Sequence, residues 1–433
     1  RIELHPQGIE AMRSRQTVYP SVLLLLHLLF FSCCLAYRNV QLLSGSRFPS
    51  PPISPRGRER ATKFYCQDSR DVSKGFNVLE LTGAVVPQGF LVTGVKSGWN
   101  FAWKTLMREL APQSKDGSYV RPSYNFKGVI GKGSFPDESG RYHLYAGKAC
   151  PWCHRVELVR SVRGLQDYLS MTTVLDRPEE ASRGGWVFGS HDPDPVVRAR
   201  DLREVYDALV PGGFRGRCTA PLLVCKRTKQ VVSNESGDLM RMLNNVAPKA
   251  SDALSEEQRL RRRIDLYPPE LQREIDELNH WIYEDVNNGV YKCGFATTQA
   301  GYNKAEHALT HALDRIEEIL SNKRFLTGDR VTDADIRLFP TIFRYDAVYN
   351  ILFRCTRRRV ADMPNLKAWL QDMYQVPGVK ETCDYNAMRE SYFRQLFPLN
   401  PSGILPAEPA DVIREASGRG AHDVASLFYI REE

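Results

Sequence analysis

Two thiols three residues apart, Cys150 and Cys153 in Cys-Pro-Trp-Cys, are the side chains of this sequence best equipped for chemistry. Such a pair can hold a zinc ion, close a redox disulfide, or supply one nucleophile with a neighbour. The flanking residues weigh these options. "RYHLYAG" (141–147) is an apolar run that predicts a strand, and "CHRVELVRSVRGL" (153–165) has helical spacing with Gly164 as its cap. Cys150 then falls at a strand-to-helix junction, where unsatisfied N–H groups and the helix dipole favour an anion. Pro151 suits the first helical position. The Cys150 thiol is therefore expected to ionise near neutrality and to act as the nucleophile. Cys153, one turn in, has lost most of that benefit and is at most a resolving thiol, while His154 and Arg155 read as positive charge nearby. A zinc site needs a second ligand pair. His307 and His311 share a helical face, but far away and inside an amphipathic pattern, so no metal is expected.

Two other stretches could act with Cys150. Pro cannot donate to a central ladder, so Ala220-Pro221 at a strand start reads as a cis peptide at a site. In "VVSNESGDL" (231–239), Glu235 and Ser236 fall between a strand and a helix. There a carboxylate and a hydroxyl beside free amides could hold the charged ends of a small peptide, or Ser236 could be a plain helix cap.

The elements that must position these residues follow from the periodicity. A strand at 141–147, the Cys150 helix, a strand at 169–176, a long loop containing "GGWVFGS" (184–190), a helix near 201–210, then strand, turn, strand and helix over 219–243 give the order β-α-β-α-β-β-α. That is the topology of an α/β thioredoxin-like domain. A polar, charged linker is expected over 244–270, and from Pro269 to about Tyr392 apolar residues recur at three and four spacings, as in an all-α bundle. Thr332-Asp333-Ala334-Asp335 is a capping box inside it. Residues 64–134 form an N-terminal extension with one helical stretch at 99–110. The thioredoxin-like domain is placed at 135–250, the all-α domain at 251–397, and a Pro-rich tail that wraps or frays at 398–433.

Composition narrows the classes. With 42% hydrophobic and 25% charged residues in 433, the chain has material for two or three soluble domains. Of the net charge of +8, residues 1–63 carry +6, with nine basic side chains against three acidic ones. The body is nearly neutral, which argues against a nucleic-acid surface. Residues 12–36 read as two arginines and a short apolar core of a signal peptide, and the Ser/Pro/Arg-rich stretch up to Lys63 reads as a transit segment. This bipartite leader resembles those that address proteins to plastids bounded by extra membranes; simple secretion is the alternative, and no membrane segment is expected in the mature protein. Ten cysteines scattered over this length do not make a disulfide-stapled fold, and a reducing compartment is expected.

Taken together, a helix-start thiol, a Pro-preceded strand, an Asn-Glu-Ser turn and an α-helical second half resemble a glutathione transferase. "FPDESGRYHLYAGKACPWCHR" (135–155), "VVSNES", "NNGVYKCGFATTQAGY" (287–302), "FLTGDRVTDADIRLFPTIFRYDAVY" and "MPNLKAWLQDMYQVPGV" are similar to the glutathionyl-hydroquinone reductases of the Xi class over roughly residues 120–406. The resemblance implies the glutathione transferase fold, a homodimer, and glutathione as co-substrate. It also implies removal of glutathione from hydroquinone conjugates through a Cys150 mixed disulfide. By the same resemblance Trp186 packs on glutathione, the Ala220 main chain pairs with it, Glu235 and Ser236 hold its γ-glutamyl end, and Arg217 is a weaker candidate for its carboxylate. Tyr291 and Tyr392 line the hydroquinone pocket. Two departures stand out: Cys153 replaces the family's usual Ala or Ser, and Ala220 its usual Val. A general thiol transferase or dehydroascorbate reductase is a competing reading, and a non-catalytic module on the same fold is another.

Overall fold

In a computed structural model, the described residues are 87–432, apart from 121–125, 183, 249–253, 410–412, 416 and 421–422. The leader expected over 1–63 lies outside them. The described residues belong to one unit, Val78–Glu433.

The cysteine-bearing half is built on a five-stranded mixed sheet of order β3-β2-β1-β4-β5. The strands are β1 (Tyr142–Gly147), β2 (Leu169–Asp176), β3 (Trp186–Phe188), β4 (Leu222–Cys225) and β5 (Gln230–Ser233). β1 and β4 are buried along their whole length, which is why "YHLYAG" and "LLVC" show no polar alternation. Helix α2 (Pro151–Val162) makes the crossover between the parallel strands β1 and β2. It ends at Gly164, whose φ of 60° is the left-handed conformation that a helix stop requires. Helices α3 (Leu202–Leu209) and α4 (Ser236–Asn245) complete the half, and α1 (Gln88–Leu110) precedes it.

Register gathers the site. β4 runs antiparallel to β1, so its start at Leu222, just after Pro221, opposes the end of β1 that leads to Cys150. β5 turns back along β4 and ends at Ser233, on the same side, just before Glu235. In the third pairing Asp176 sits opposite Trp186, again at that end. One edge of the sheet thus collects fragments that are distant in sequence.

The second half is helical: α5 (Glu256–Arg262), α6 (Gln272–Trp281), α7 (Gly289–Gly294), α8 (Gln299–Asn322), α9 (Asp333–Arg344), α10 (Pro364–Gln375) and α11 (Tyr385–Gln395). π-helical turns follow α6 (Ile282–Asn287) and α9 (Tyr345–Tyr349). The expected capping box opens α9: the Thr332 N–H donates to Asp335 at 3.0 Å, and Asp335 also accepts from Leu326 N–H and Trp369 Nε1–H. α2 packs against both α4 and α9, which joins the two halves.

Three local expectations change. "GGWVFGS", read as loop, contains β3, because Trp186–Phe188 pairs antiparallel with β2. The stretch read as a linker contains α5, capped by Ser255 and Gln258, and a short strand β6 (Ile264–Asp265). That strand pairs with β7 (Tyr429–Ile430), so the end of the tail wraps back, with Leu427 and Phe428 buried. The helix expected at 99–110 is the second half of a longer one.

Candidate active site

Cys150 caps the N-terminus of α2, its sulfur accepting from the Cys153 N–H at 3.4 Å, with Pro151 in the first turn. The thiol lies 3.7 Å from the carbonyl oxygen of Ala220, whose bond to Pro221 is cis. The Cys153 thiol donating to it is the largest influence on its acidity. Burial opposes ionisation, but the Cys153 and Trp152 N–H groups and the Arg344 charge add to the first effect, and the Cys150 thiol is pulled down to about 7. Cys153 is fully buried, and that burial together with the Cys150 charge pushes its own thiol up. The two thiols therefore differ in acidity chiefly through the hydrogen bond between them and the deeper burial of Cys153, with the helix-start N–H groups adding to the difference.

The positive charge comes from a different place than the sequence reading expects. His154 is buried and held neutral, by burial first and then by the Arg344 and Lys148 charges. It hydrogen-bonds Thr382 at 2.8 Å and Arg344 at 3.0 Å. Arg155 turns away to Asn287 and to the Arg337 carbonyl, its guanidinium 4.4 Å above the Trp152 ring. Arg344, at the end of α9, is the cation at the thiol. It is 1% exposed and donates to the carbonyls of Lys148, Ala149 and Pro340 at 2.9–3.1 Å as well as to His154, all neutral partners. Its charge is thus left to act on Cys150 while its hydrogen bonds fix the turn that leads to it.

Around the thiol, Trp186 lies against the end of β1. A Cβ on Gly147 would come within 2.5 Å of its ring, so only glycine admits the indole there. Glu235 caps α4 by accepting from the Gly237 N–H at 3.1 Å and from the Ser236 hydroxyl at 3.4 Å, and Ser236 is buried. Buried Asn234 ties the two loops together, donating to Tyr206 at 3.1 Å and Thr219 at 3.2 Å, while Tyr206 donates to the Thr219 carbonyl at 2.8 Å. The register thus brings a carboxylate, a hydroxyl, the main chain before a cis-proline and an indole to the end of the sheet that leads to Cys150, a donor set suited to a small zwitterionic peptide thiol. Arg217 does not join them. It is exposed and donates to the Glu109 and Leu110 carbonyls at 2.7 and 2.5 Å, at the C-terminus of α1.

Tyr291 and Tyr392 come together, their hydroxyls 2.6 Å apart, and a third joins them: Tyr349 lies 3.0 Å from Tyr392 and 3.5 Å from Tyr291. Burial, reinforced by the neighbouring phenols, pushes Tyr291 and Tyr392 up, and burial does the same for Tyr349, so all three keep their protons. Trp152, next to the thiol, stacks on Tyr291 with centroids 6.3 Å apart. The Cys150 charge also raises Tyr349. Half-buried Asp176, opposite Trp186, accepts from Ser391 at 2.6 Å and so links the sheet edge to the helix that carries Tyr392.

Arg344 and Tyr349 are the residues that sequence reasoning missed. A lone arginine in "LFPTIFRYDAVY", otherwise apolar over its first turns, was the available signal. Tyr349, five residues on, has none, because α-helical spacing puts it on another face. His307 and His311 are exposed on α8, and no cluster of three His, Cys, Asp or Glu able to hold a metal ion lies among the described residues.

A thioredoxin-like sheet with a helix-start cysteine and a cis-proline, continued by an all-α half, is the architecture of a glutathione transferase. Models of the glutathione S-transferase N-terminal and C-terminal domains match residues 149–246 and 299–372. The glutathionyl-hydroquinone reductase YqjG of Escherichia coli is 38% identical over 344 residues, 76% of this chain and 98% of that protein. The glutathionyl-hydroquinone reductase PcpF of Sphingobium chlorophenolicum is 39% identical, covering 74% and 96%. The crystal structure of the Xi glutathione transferase of Phanerochaete chrysosporium superposes with a TM-score of 0.64 at 39% identity, over 70% of this chain and 96% of that one. The chain belongs to the Xi-class glutathione transferases, together with these glutathionyl-hydroquinone reductases.

Proposed function

We propose that this chain reduces S-glutathionyl-hydroquinones to hydroquinones, with glutathione as reductant. The observation that carries the reading is the trio of mutually hydrogen-bonded tyrosine hydroxyls, one of which feels the Cys150 charge and another of which lies against Trp152, two residues from that acidic thiol. Two relatives are named for this activity, and YqjG has a structure with glutathione bound.

The Cys150 thiolate attacks the sulfur that joins glutathione to the ring. A Cys150–glutathione disulfide forms as the sulfur–ring bond breaks, and its electron pair stays with the ring carbon, which takes a proton. Tyr291, Tyr349 and Tyr392 can donate hydrogen bonds to the substrate hydroxyls and stabilise the charge that grows there. A second glutathione then attacks the mixed disulfide, leaving as glutathione disulfide and restoring Cys150. The ring gains two electrons, and the two glutathione sulfurs, one from the thioether of the conjugate and one from the free thiol, lose one each. Trp186, the Ala220 main chain, Glu235 and Ser236 hold the glutathionyl moiety, and Arg217 has no part in this scheme.

Assay of the purified full chain with glutathionyl-menadiol and glutathione tests the proposal. Menadiol and glutathione disulfide are expected in equal amounts, and Cys150→Ser lowers the rate by about three orders of magnitude or more. A Cys150→Ser variant that retains activity overturns the reading; faster turnover of dehydroascorbate or simple mixed disulfides than of the conjugate favours a general thiol transferase. The homodimer and the plastid address remain part of the proposal, testable by light scattering and by imaging a fusion to residues 1–63.

A further inference from the structure

Cys153 has no role in that scheme, yet it occupies a special place. It lies on the first turn of α2 with its sulfur wholly inside the protein (0% exposed). Both its N–H and its thiol point at the Cys150 sulfur. One α-helical turn separates Cα atoms by about 5 Å, within the roughly 4.4–6.8 Å that a disulfide spans. Solvent does not reach Cys153, so an external disulfide cannot exchange with it. A disulfide already formed on Cys150 is the one within its reach.

We propose that Cys150 and Cys153 form a dithiol couple that gives this chain a second activity, the two-electron reduction of glutathione-containing disulfides in which Cys153, and not a second glutathione, resolves the mixed disulfide on Cys150. In the first step the Cys150 thiolate attacks the glutathione-bearing disulfide; a Cys150–glutathione bond forms, and the other thiol departs and is protonated. In the second step the Cys153 sulfur attacks the Cys150 sulfur. The Cys150–Cys153 bond forms, the bond to glutathione breaks, and the Cys153 proton goes to the departing glutathione. The dithiol has lost two electrons and the substrate disulfide has become two thiols. Two glutathione molecules reduce the oxidised pair and leave as glutathione disulfide. The proposal rests on Cys150 as nucleophile, as in the proposed function, but not on hydroquinone chemistry.

The test uses glutathione disulfide as the probe. Reduced full chain is mixed with one equivalent and no free glutathione, quenched in acid, alkylated, and read by intact and peptide mass. Wild type is expected to release both glutathiones and to carry a Cys150–Cys153 bond. Cys153→Ser and Cys153→Ala are expected to release one and to retain the other on Cys150. A wild-type protein whose stable end state is glutathionylated Cys150 overturns the proposal, whatever the variants do, and so does one in which Cys150 does not react. If the internal disulfide forms but glutathionyl-menadiol is not reduced, the dithiol stands and the hydroquinone reading falls.

Discussion

Arg344 acts on Cys150 from outside the thioredoxin-like half, and this division of labour can be tested one residue at a time. The thiolate is the charged form, so removing a neighbouring cation disfavours it. Arg344→Met should therefore move the midpoint of Cys150 alkylation with pH upward from about 7, and by less than Cys153→Ala does, because the Cys153 thiol is the larger influence. Arg344→Lys keeps the charge but not the fork, and should shift the midpoint less while still loosening the 148–150 turn. The tyrosines separate on another axis. Tyr291→Phe or Tyr392→Phe should lower kcat/KM for a glutathionyl-hydroquinone by about 10²-fold. Reduction of a simple glutathione mixed disulfide, which presents no phenol, should stay within a few-fold. Equal losses on both substrates would remove the tyrosines from the chemistry. At this scale the sequence pointed to Cys150 through its place at a helix start, but gave no sign that the Cys153 thiol would be the larger influence on its acidity. It misplaced the cation, because burial neutralises His154 and Arg155 points to Asn287 and Arg337, and only the tertiary structure decides either.

Between elements, the joint of the two halves centres on Asp333. Buried at the start of α9, it accepts from Arg241 of α4 at 2.9 Å, Arg337 at 2.7 Å and Asn279 of α6 at 2.7 Å. Burial opposes its ionisation, but Arg337 and Arg241 outweigh that and hold its carboxyl below the usual carboxylate range. The sign follows: its contribution is complete above the unfolded carboxylate pKa near 4 and is lost as the pH falls through the lower folded value. Asp333→Ala removes the carboxylate shared by Arg337, Asn279 and Arg241, of which Arg241 keeps Asp276 at 3.0 Å, and should cost about 2–3 kcal/mol, read as the urea midpoint. The motif "TDAD" announced a capped helix start, and its Thr332–Asp335 box is present. It did not announce that the intervening Asp333 faces another domain, since a capping pattern reports backbone needs and not long-range partners. β3 escaped notice for a related reason: three residues at a sheet edge carry too little alternation to register.

For the whole molecule, the C-terminal end is structural. The β6–β7 pair is reinforced by Arg431, which bonds the Asn244 carbonyl at 2.7 Å and Asp265 at 3.0 Å. Val424, Leu427 and Phe428 are buried beneath it. Ending the chain at residue 422 should destabilise it by about 5 kcal/mol, from the loss of three buried apolar side chains, and lower the thermal midpoint; an unchanged midpoint would reduce the clasp to ornament. The sequence made the two-domain plan legible, since strand and helix periods differ and the change falls between the halves. The clasp was not legible, because two-residue strands over 160 positions apart leave no periodic trace.

The π-helical turn Tyr345–Tyr349 carries a last consequence. In an α-helix two residues five apart diverge by roughly 140°, whereas an i→i+5 ladder stacks them. Arg344 and Tyr349 are five apart, and both reach toward Cys150. The active site thus depends on a counting offset in the backbone as well as on side-chain identities. A chain with one residue deleted between Arg344 and Tyr349 would keep both side chains and lose their phase.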